Sequence, residues 1–304
     1  MMRSLLLHLA ESKRIKQFVV GTGPMRRMAR RWVAGEDLDD AIASARALNL
    51  TRRSVSLDLL GENVTGEAGA VRTRDSYLRI FDRIAGEKLD ANVSLKLTQL
   101  GLDLGEALCG RLLESIVAHA AGHRNFVRID MEGSAYTQRT VDICKQARAK
   151  SAAVGTVMQA YLYRTEQDVK ELIAAGCRLR LCKGAYNEPP EVAFPAKADV
   201  DANYVKLMKI LLPSGIYHGI ATHDPNMISA TKKFATERGI SSDQFEFQML
   251  YGIRTDLQQT LVKEGYRVRV YLPYGSDWFP YFMRRLAERP ANVMFFVRSL
   301  VSRS

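Results

Sequence analysis

Eight short apolar runs recur along the chain, and each has the length and residue types of a buried strand. They are SVSLDLL (54–60), ANVSLKL (91–97), NFVRIDM (125–131), VGTVMQAYL (154–162), RLRLCKG (178–184), HGIATH (218–223), FEFQML (245–250) and YRVRVYLPYG (266–275). Longer stretches with apolar positions three and four apart lie between them, such as TQRTVDICKQARAKS and DANYVKLMKILL, and these predict helices. Residues 23–48 carry the same spacing in Met25, Met28, Trp32 and Val33, then Leu38, Ile42, Ala45 and Leu48. After the last run, WFPYFMRRLAER again reads as a helix.

Eight strand–helix alternations predict an α/β fold, a (β/α)8 barrel of TIM type over residues 51–304, preceded by an N-terminal helical segment, residues 1–50, that packs on it. A doubly wound open sheet has the same alternation. The barrel is favoured by polar residues at the C-terminal ends of nearly every run: Glu62, Lys96, Asp130, Gln159, Lys183, His223, Gln248 and Tyr271. In a closed barrel these converge on one mouth; in an open sheet they would be strung along an edge.

Charge and composition narrow the picture less. The 304 residues are 47% hydrophobic, which excludes disorder, and 44 Lys and Arg against 33 Asp and Glu leave a net charge of +11. That excess raises the standing of anionic partners: nucleic acid, an anionic membrane or an acidic substrate. No stretch approaches the ~18 apolar residues of a membrane span. Cys109, Cys144, Cys177 and Cys182 form no C-x-x-C pair, which fits a reducing cytoplasm. The opening MMRSLLLHLAESKR reads as the first turns of a helix, with a signal peptide as the alternative.

Candidate chemistry is densest in YLPYGSDWFPYFMRRLAER, residues 271–289. Tyr281, Arg284, Arg285 and Glu288 fall at i, i+3, i+4 and i+7, one face of a helix. Paired guanidiniums beside Tyr271, Tyr274 and Tyr281 suit an apolar cup closed by an anion clamp, although a solvated, salt-bridged face has the same spacing. Lys96 and Lys183, each after apolar strand residues, suit a Schiff-base nucleophile, an anion binder or a structural cation. Asp130 and Glu132 suit acid–base work or a metal, but His223 is the one further ligand at the mouth, so no metal is assigned. His119 and His123 stand four apart, as zinc ligands on a helix do, yet Gly122 between them points to a helix end. Gly21–Thr22–Gly23 lacks the βαβ context of a dinucleotide fingerprint, and no P-loop, G-x-S-x-G or nucleic-acid module occurs.

Taken in order, SLKLTQLG, RIDMEGS, VMQAYLYR, RLRLCKGAY, ATHD, FEFQMLYG and VRVYLPYG–WFPYFMRRLAER resemble the flavin-dependent proline dehydrogenases, over about residues 50 to 300. The resemblance is to the monofunctional type and implies a distorted (β/α)8 barrel with FAD at the C-terminal ends of its strands. It implies that Arg284, Arg285 and Lys96 hold the carboxylate of L-proline, that Tyr186, Leu250, Tyr271 and Tyr281 enclose its ring, and that Asp130 supports the pocket by hydrogen bonding. Glu288 would orient the arginines, and Glu62 would pair with Arg284 as a gate. Gln159, Arg180, Lys183, Gly184, Thr222 and His223 would contact FAD. Asn187 after KGAY, where larger relatives carry an aromatic, and Met249, where a basic residue is expected, depart from the pattern.

The same resemblance implies hydride transfer to flavin N5, electrons passed to a quinone, and a product handed to a separate pyrroline-5-carboxylate dehydrogenase. A quinone acceptor implies peripheral contact with an anionic membrane, for which Arg26, Arg27, Arg30 and Arg31 on the helix bearing Trp32 are the local candidates. Two other functions stay open on the residues alone: a Schiff-base lyase built on Lys96 or Lys183, and a basic nucleic-acid-binding protein.

Overall fold

The computed structural model describes residues 29–61 and 64–287, without the side chains of Arg284, Leu286 and Ala287. Glu62, Glu288, Arg26 and Arg27 therefore lie outside the described residues, as does the opening helix expected before Ala29.

Eight parallel strands close on themselves in sequence order. They are β1 (Ser54–Leu59), β2 (Ala91–Leu95), β3 (Val127–Ile129), β4 (Val154–Gln159), β5 (Arg178–Cys182), β6 (His218–Ala221), β7 (Phe245–Leu250) and β8 (Arg267–Tyr274). Closure is made by β1 against β8, with Ser56 opposite Tyr271 and Asp58 opposite Pro273. The helices are α1 (Leu38–Asn49), α2 (Glu67–Gly86), α3 (Glu106–Gly122), α4 (Ser134–Lys150), α5 (Thr165–Ala174), α6 (Lys197–Leu211), α7 (Pro225–Glu237), α8 (Thr255–Lys263) and α9 (Trp278–Ala287). α1 precedes the barrel and buries Ala41, Ile42, Ala45 and Leu48, the spacing expected of it.

The pleat separates two populations. Val55 and Leu57, Val93 and Leu95, Val127 and Ile129, Leu179 and Leu181 belong to the apolar layer between sheet and helices. The alternating residues Ser56, Ser94, Asp130, Arg180 and Gln248 are hydrogen-bonded to one another inside the barrel. This interior is polar where TIM barrels more often stack branched aliphatics. Gly219 makes room for it, since a Cβ there would stand 2.4 Å from the Gln248 amide.

Several strands are shorter than the apolar runs that announce them. β2 ends at Leu95, β3 at Ile129, β5 at Cys182 and β6 at Ala221, so Lys96, Asp130, Lys183 and His223 stand just past the strand ends, although Asp130 N–H still donates to Leu95 O at 2.8 Å and Lys183 O accepts from Tyr161 N–H at 2.9 Å. The described chain before α1 packs against α9 through Trp32. Trp32 is 4% exposed and its ring lies 5.8 Å from that of Phe282 on α9. Trp32 is thus covered by the protein itself, near the C-terminal end of β8, where Ala34 N–H donates to Pro273 O at 2.9 Å.

Candidate active site

The C-terminal strand ends enclose a cavity of about 500 Å³. Thirteen of the sequence-predicted residues line it: Lys96, Asp130, Tyr186, Leu250, Tyr271, Tyr281 and Arg285, and on the other side Gln159, Arg180, Lys183, Gly184, Thr222 and His223. The backbone of Arg284 lies in α9, but its side chain, like Glu62 and Glu288, is outside the description, so the expected gate and the second guanidinium are not placed.

A buried ionic network forms the floor. Asp130 accepts from Arg180 Nη1 at 2.8 Å and from the Tyr271 hydroxyl at 2.7 Å. Arg180 also donates to Ser94 at 3.1 Å and to Gln248, and its guanidinium lies 5.2 Å from the centroid of the Tyr271 ring. Burial, with Asp130 and then Asp58 nearby, holds the Tyr271 hydroxyl well above its ordinary pKa, so it is a fixed donor at neutral pH. Glu132, two residues on from Asp130, turns instead to Thr98, whose hydroxyl donates to it at 2.8 Å, and the two carboxylates do not form a pair.

Lys96 is placed by the short 3-10 turn after it, Leu97–Leu100. Its backbone N–H donates to Gln99 Oε1 at 2.9 Å, while Gln99 Nε2 reaches Leu59 O at 2.7 Å and Gly61 O at 2.8 Å, tying the β2 exit to β1. The ammonium lies 3.5 Å from Asp58, a carboxylate 1% exposed. Burial raises the Asp58 carboxyl above the usual range, Lys96 opposes that rise and Asp130 adds to it. Over the cavity, Arg285 and Tyr281 share one face of α9, and the guanidinium carbon is 5.1 Å from the tyrosine centroid.

The β4–β6 side presents a different set of groups. Gln159 donates to Glu132 O at 3.0 Å. Lys183 is ion-paired with Asp224 at 2.7 Å and with Asp201. Leu250 N–H donates to Nε2 of His223 at 2.9 Å, which puts the imidazole proton on Nδ1 and joins the two sides of the cavity. Gly184 has φ +122°, and a Cβ there would meet the Tyr161 ring at 2.0 Å, so no other residue fits. Cys182, also at the mouth, has its thiol pushed up to about 12 by burial and is no thiolate nucleophile.

Asp58, Asp224, Gln248 and Cys182 add polar groups to the lining, and of these only Gln248, as a run-end residue, was expected at the mouth. Asp58 had a signal: an acid two residues after Ser56, inside an apolar run, must face the barrel interior if Val55 and Leu57 face the helices.

Cations, one aromatic wall and a donor-rich opposite rim suit two ligands side by side. Arg285 and Lys96 match a small carboxylate whose apolar body rests on Leu250, Tyr271 and Tyr281. Amide, hydroxyl, imidazole and ammonium groups from β4–β6 match the polar edge and phosphates of a dinucleotide-type cofactor such as FAD.

Comparison with known proteins gives the family. The family model for proline dehydrogenase matches residues 41–298. Proline dehydrogenase 2 of Bacillus subtilis is 45% identical over 295 residues, 94% of this chain and 97% of that one. Proline dehydrogenase of Deinococcus radiodurans is 40% identical, covering 98% and 97%. Among solved structures, proline utilization A from Bdellovibrio bacteriovorus, inactivated by N-propargylglycine, superposes with a TM-score of 0.82 at 26% identity, over 87% of this chain and 33% of that longer one.

Proposed function

The chain belongs to the proline dehydrogenase family, and on that premise we propose that it oxidises L-proline to 1-pyrroline-5-carboxylate with FAD as its cofactor. The observation that carries this reading is the pairing, within one cavity, of a cation-and-aromatic subsite with a donor-rich rim.

Proline is a zwitterion with one carboxylate and an apolar ring. Arg285 and Lys96 bind the carboxylate and so fix the position of the carbon beside nitrogen, while Arg284, expected from the sequence to join them, has its side chain outside the described residues. Leu250, Tyr271, Tyr281 and Tyr186 confine the ring and exclude water, with Tyr271 locked by its hydrogen bond to Asp130. Asp58 holds the Lys96 ammonium at the cavity instead of letting it extend to solvent. Gln159, Lys183, Gly184, Thr222 and His223 would hold FAD, and Arg180 would contribute positive charge to its site. Bound FAD supplies the acceptor for the hydride.

The alternative of a Schiff-base lyase is not favoured by the lysines' surroundings. Lys96 is engaged by Asp58, and Lys183 by Asp224 and Asp201, an arrangement for binding charge, whereas a Schiff-base nucleophile acts as a neutral amine. Purified protein is expected to show oxidised flavin absorption that bleaches when proline is added without oxygen. A colourless protein trapped on a carbonyl substrate by borohydride would reverse the assignment.

Electrons then pass to a lipid-soluble quinone, and the product passes to a separate pyrroline-5-carboxylate dehydrogenase. No helix among the described residues is long and apolar enough to cross a membrane, and in this reading the quinone is met at the bilayer surface. The net charge of +11 supplies the attraction, at about 1 kcal/mol per cation near an anionic surface. Trp32, being buried, contributes nothing to that contact in this conformation. Co-sedimentation with anionic vesicles, lost at high salt and absent with neutral vesicles, is the expected result; equal binding to both would show that charge is not the cause.

A further inference from the structure

On the outer wall of the barrel, two helices bring three metal-type donors together. His119 lies in the last turn of α3 and His123 caps its C-terminus. Their rings stand edge to face with centroids 4.9 Å apart. Asp82, near the C-terminal end of α2, faces both: its Oδ1 lies 2.7 Å from Nε2 of His119 and 3.0 Å from Nε2 of His123. One ligand atom from each residue lies within 4.8 Å of the others, and no other such group of His, Cys, Asp and Glu occurs among the described residues.

We propose that Asp82, His119 and His123 form a surface site for a divalent first-row transition ion of the zinc type, clamping α2 to α3. A carboxylate oxygen between two Nε2 atoms is satisfied when both imidazoles carry their proton there. Moving each proton to Nδ1 leaves two lone pairs and a carboxylate aimed at one point. Bonds of about 2.0–2.1 Å to a tetrahedral ion put neighbouring ligand atoms ~3.3 Å apart, so the two contacts of Asp82, at 2.7 and 3.0 Å, need to lengthen by only a few tenths of an ångström. These side chains can do that, since both histidines are 32% and Asp82 56% exposed. The exposed side leaves the fourth position to water.

Two features around the cluster favour a cation. Both helices end there, and the negative end of a helix dipole attracts positive charge. Arg83, the neighbour of Asp82, is taken up by Asp39 at 2.7 Å and Glu87 at 3.8 Å. Two nitrogens and one oxygen select against magnesium and calcium, which require oxygen ligands. Helix C-termini lie at the N-terminal end of the strands, opposite the mouth, so the site is separate from proline oxidation.

The test is titration of the full-length, tag-free flavoprotein with zinc, followed by calorimetry and thermal melting. One equivalent is expected to bind, raising Tm by about 5 °C at a hundredfold excess over Kd. His119→Ala and His123→Ala are each expected to weaken binding at least tenfold while keeping the metal-free Tm and proline turnover of the parent. Cobalt in place of zinc is expected to give the visible absorption of a tetrahedral nitrogen–oxygen site, lost in both variants. Zinc affinity unchanged in both variants, or an equal Tm rise with magnesium, would overturn the proposal.

Discussion

Replacing Arg285 by Met is expected to lower kcat/KM for proline ~30- to 1000-fold while leaving the flavin spectrum intact. Arg285 lines the cavity from α9 and lies over the Tyr281 ring at 5.1 Å, so its guanidinium is held by stacking before substrate arrives. Removing one partner of a desolvated, charge-assisted contact costs about 2–4 kcal/mol, which is the stated factor. Methionine keeps most of the apolar volume against Tyr281, so helix packing is disturbed little. The carboxylate takes no part in the bond changes, so much of the loss belongs in KM. The part that appears in kcat measures how far the clamp sets the position of the reacting carbon. Steady-state kinetics with proline decides it, and a kcat/KM within threefold of the parent would remove Arg285 from the clamp.

Replacing Asp130 by Ala is expected to destabilise the fold by about 3–5 kcal/mol, lowering Tm by ~10 °C. The side chains of Asp130 and Arg180 are 12% and 8% exposed, and Asp130 is the acceptor for both Arg180 and Tyr271. Without it, a guanidinium and a phenol are left in the barrel interior short of a partner. Asn at the same position keeps an acceptor but not the charge, so an intermediate loss is expected. Melting curves of the two variants test this, and an unchanged Tm for Asp130→Ala would mean that water replaces the carboxylate at no cost.

The barrel is legible in the chain because its eight apolar runs are separated by helical spacing, and no other closed arrangement brings so many polar run-ends to one mouth. Strand ends are less legible. Lys96, Asp130, Lys183 and His223 follow their runs without a break in composition, yet each stands just past the end of its strand. Asp58 escapes notice because an acid inside SVSLDLL reads as an exception in an apolar strand, and the interior partners that make it favourable, Lys96 first, are 38 residues away. Asp82 is illegible for the same reason: nothing in the spacing of His119 and His123 says which residue of α2 they will meet. The clamp on α9 is the opposite case, since Tyr281 and Arg285 are brought together by helical periodicity alone.

Closure of the sheet sets a timetable for the newborn chain. Arg269 Nη1 on β8 donates to Val55 O on β1 at 2.8 Å, across 214 residues. Until β8 has been synthesised, both lateral edges of the sheet, β1 and the last strand made, present unpaired backbone groups that other nascent chains can capture. α9 follows β8, so half of the carboxylate clamp arrives only after the ring can shut. A chain interrupted before β8 would therefore be sticky and inert together. Its yield in cells should respond to slower growth and to holding chaperones more sharply than that of a protein whose contacts are local.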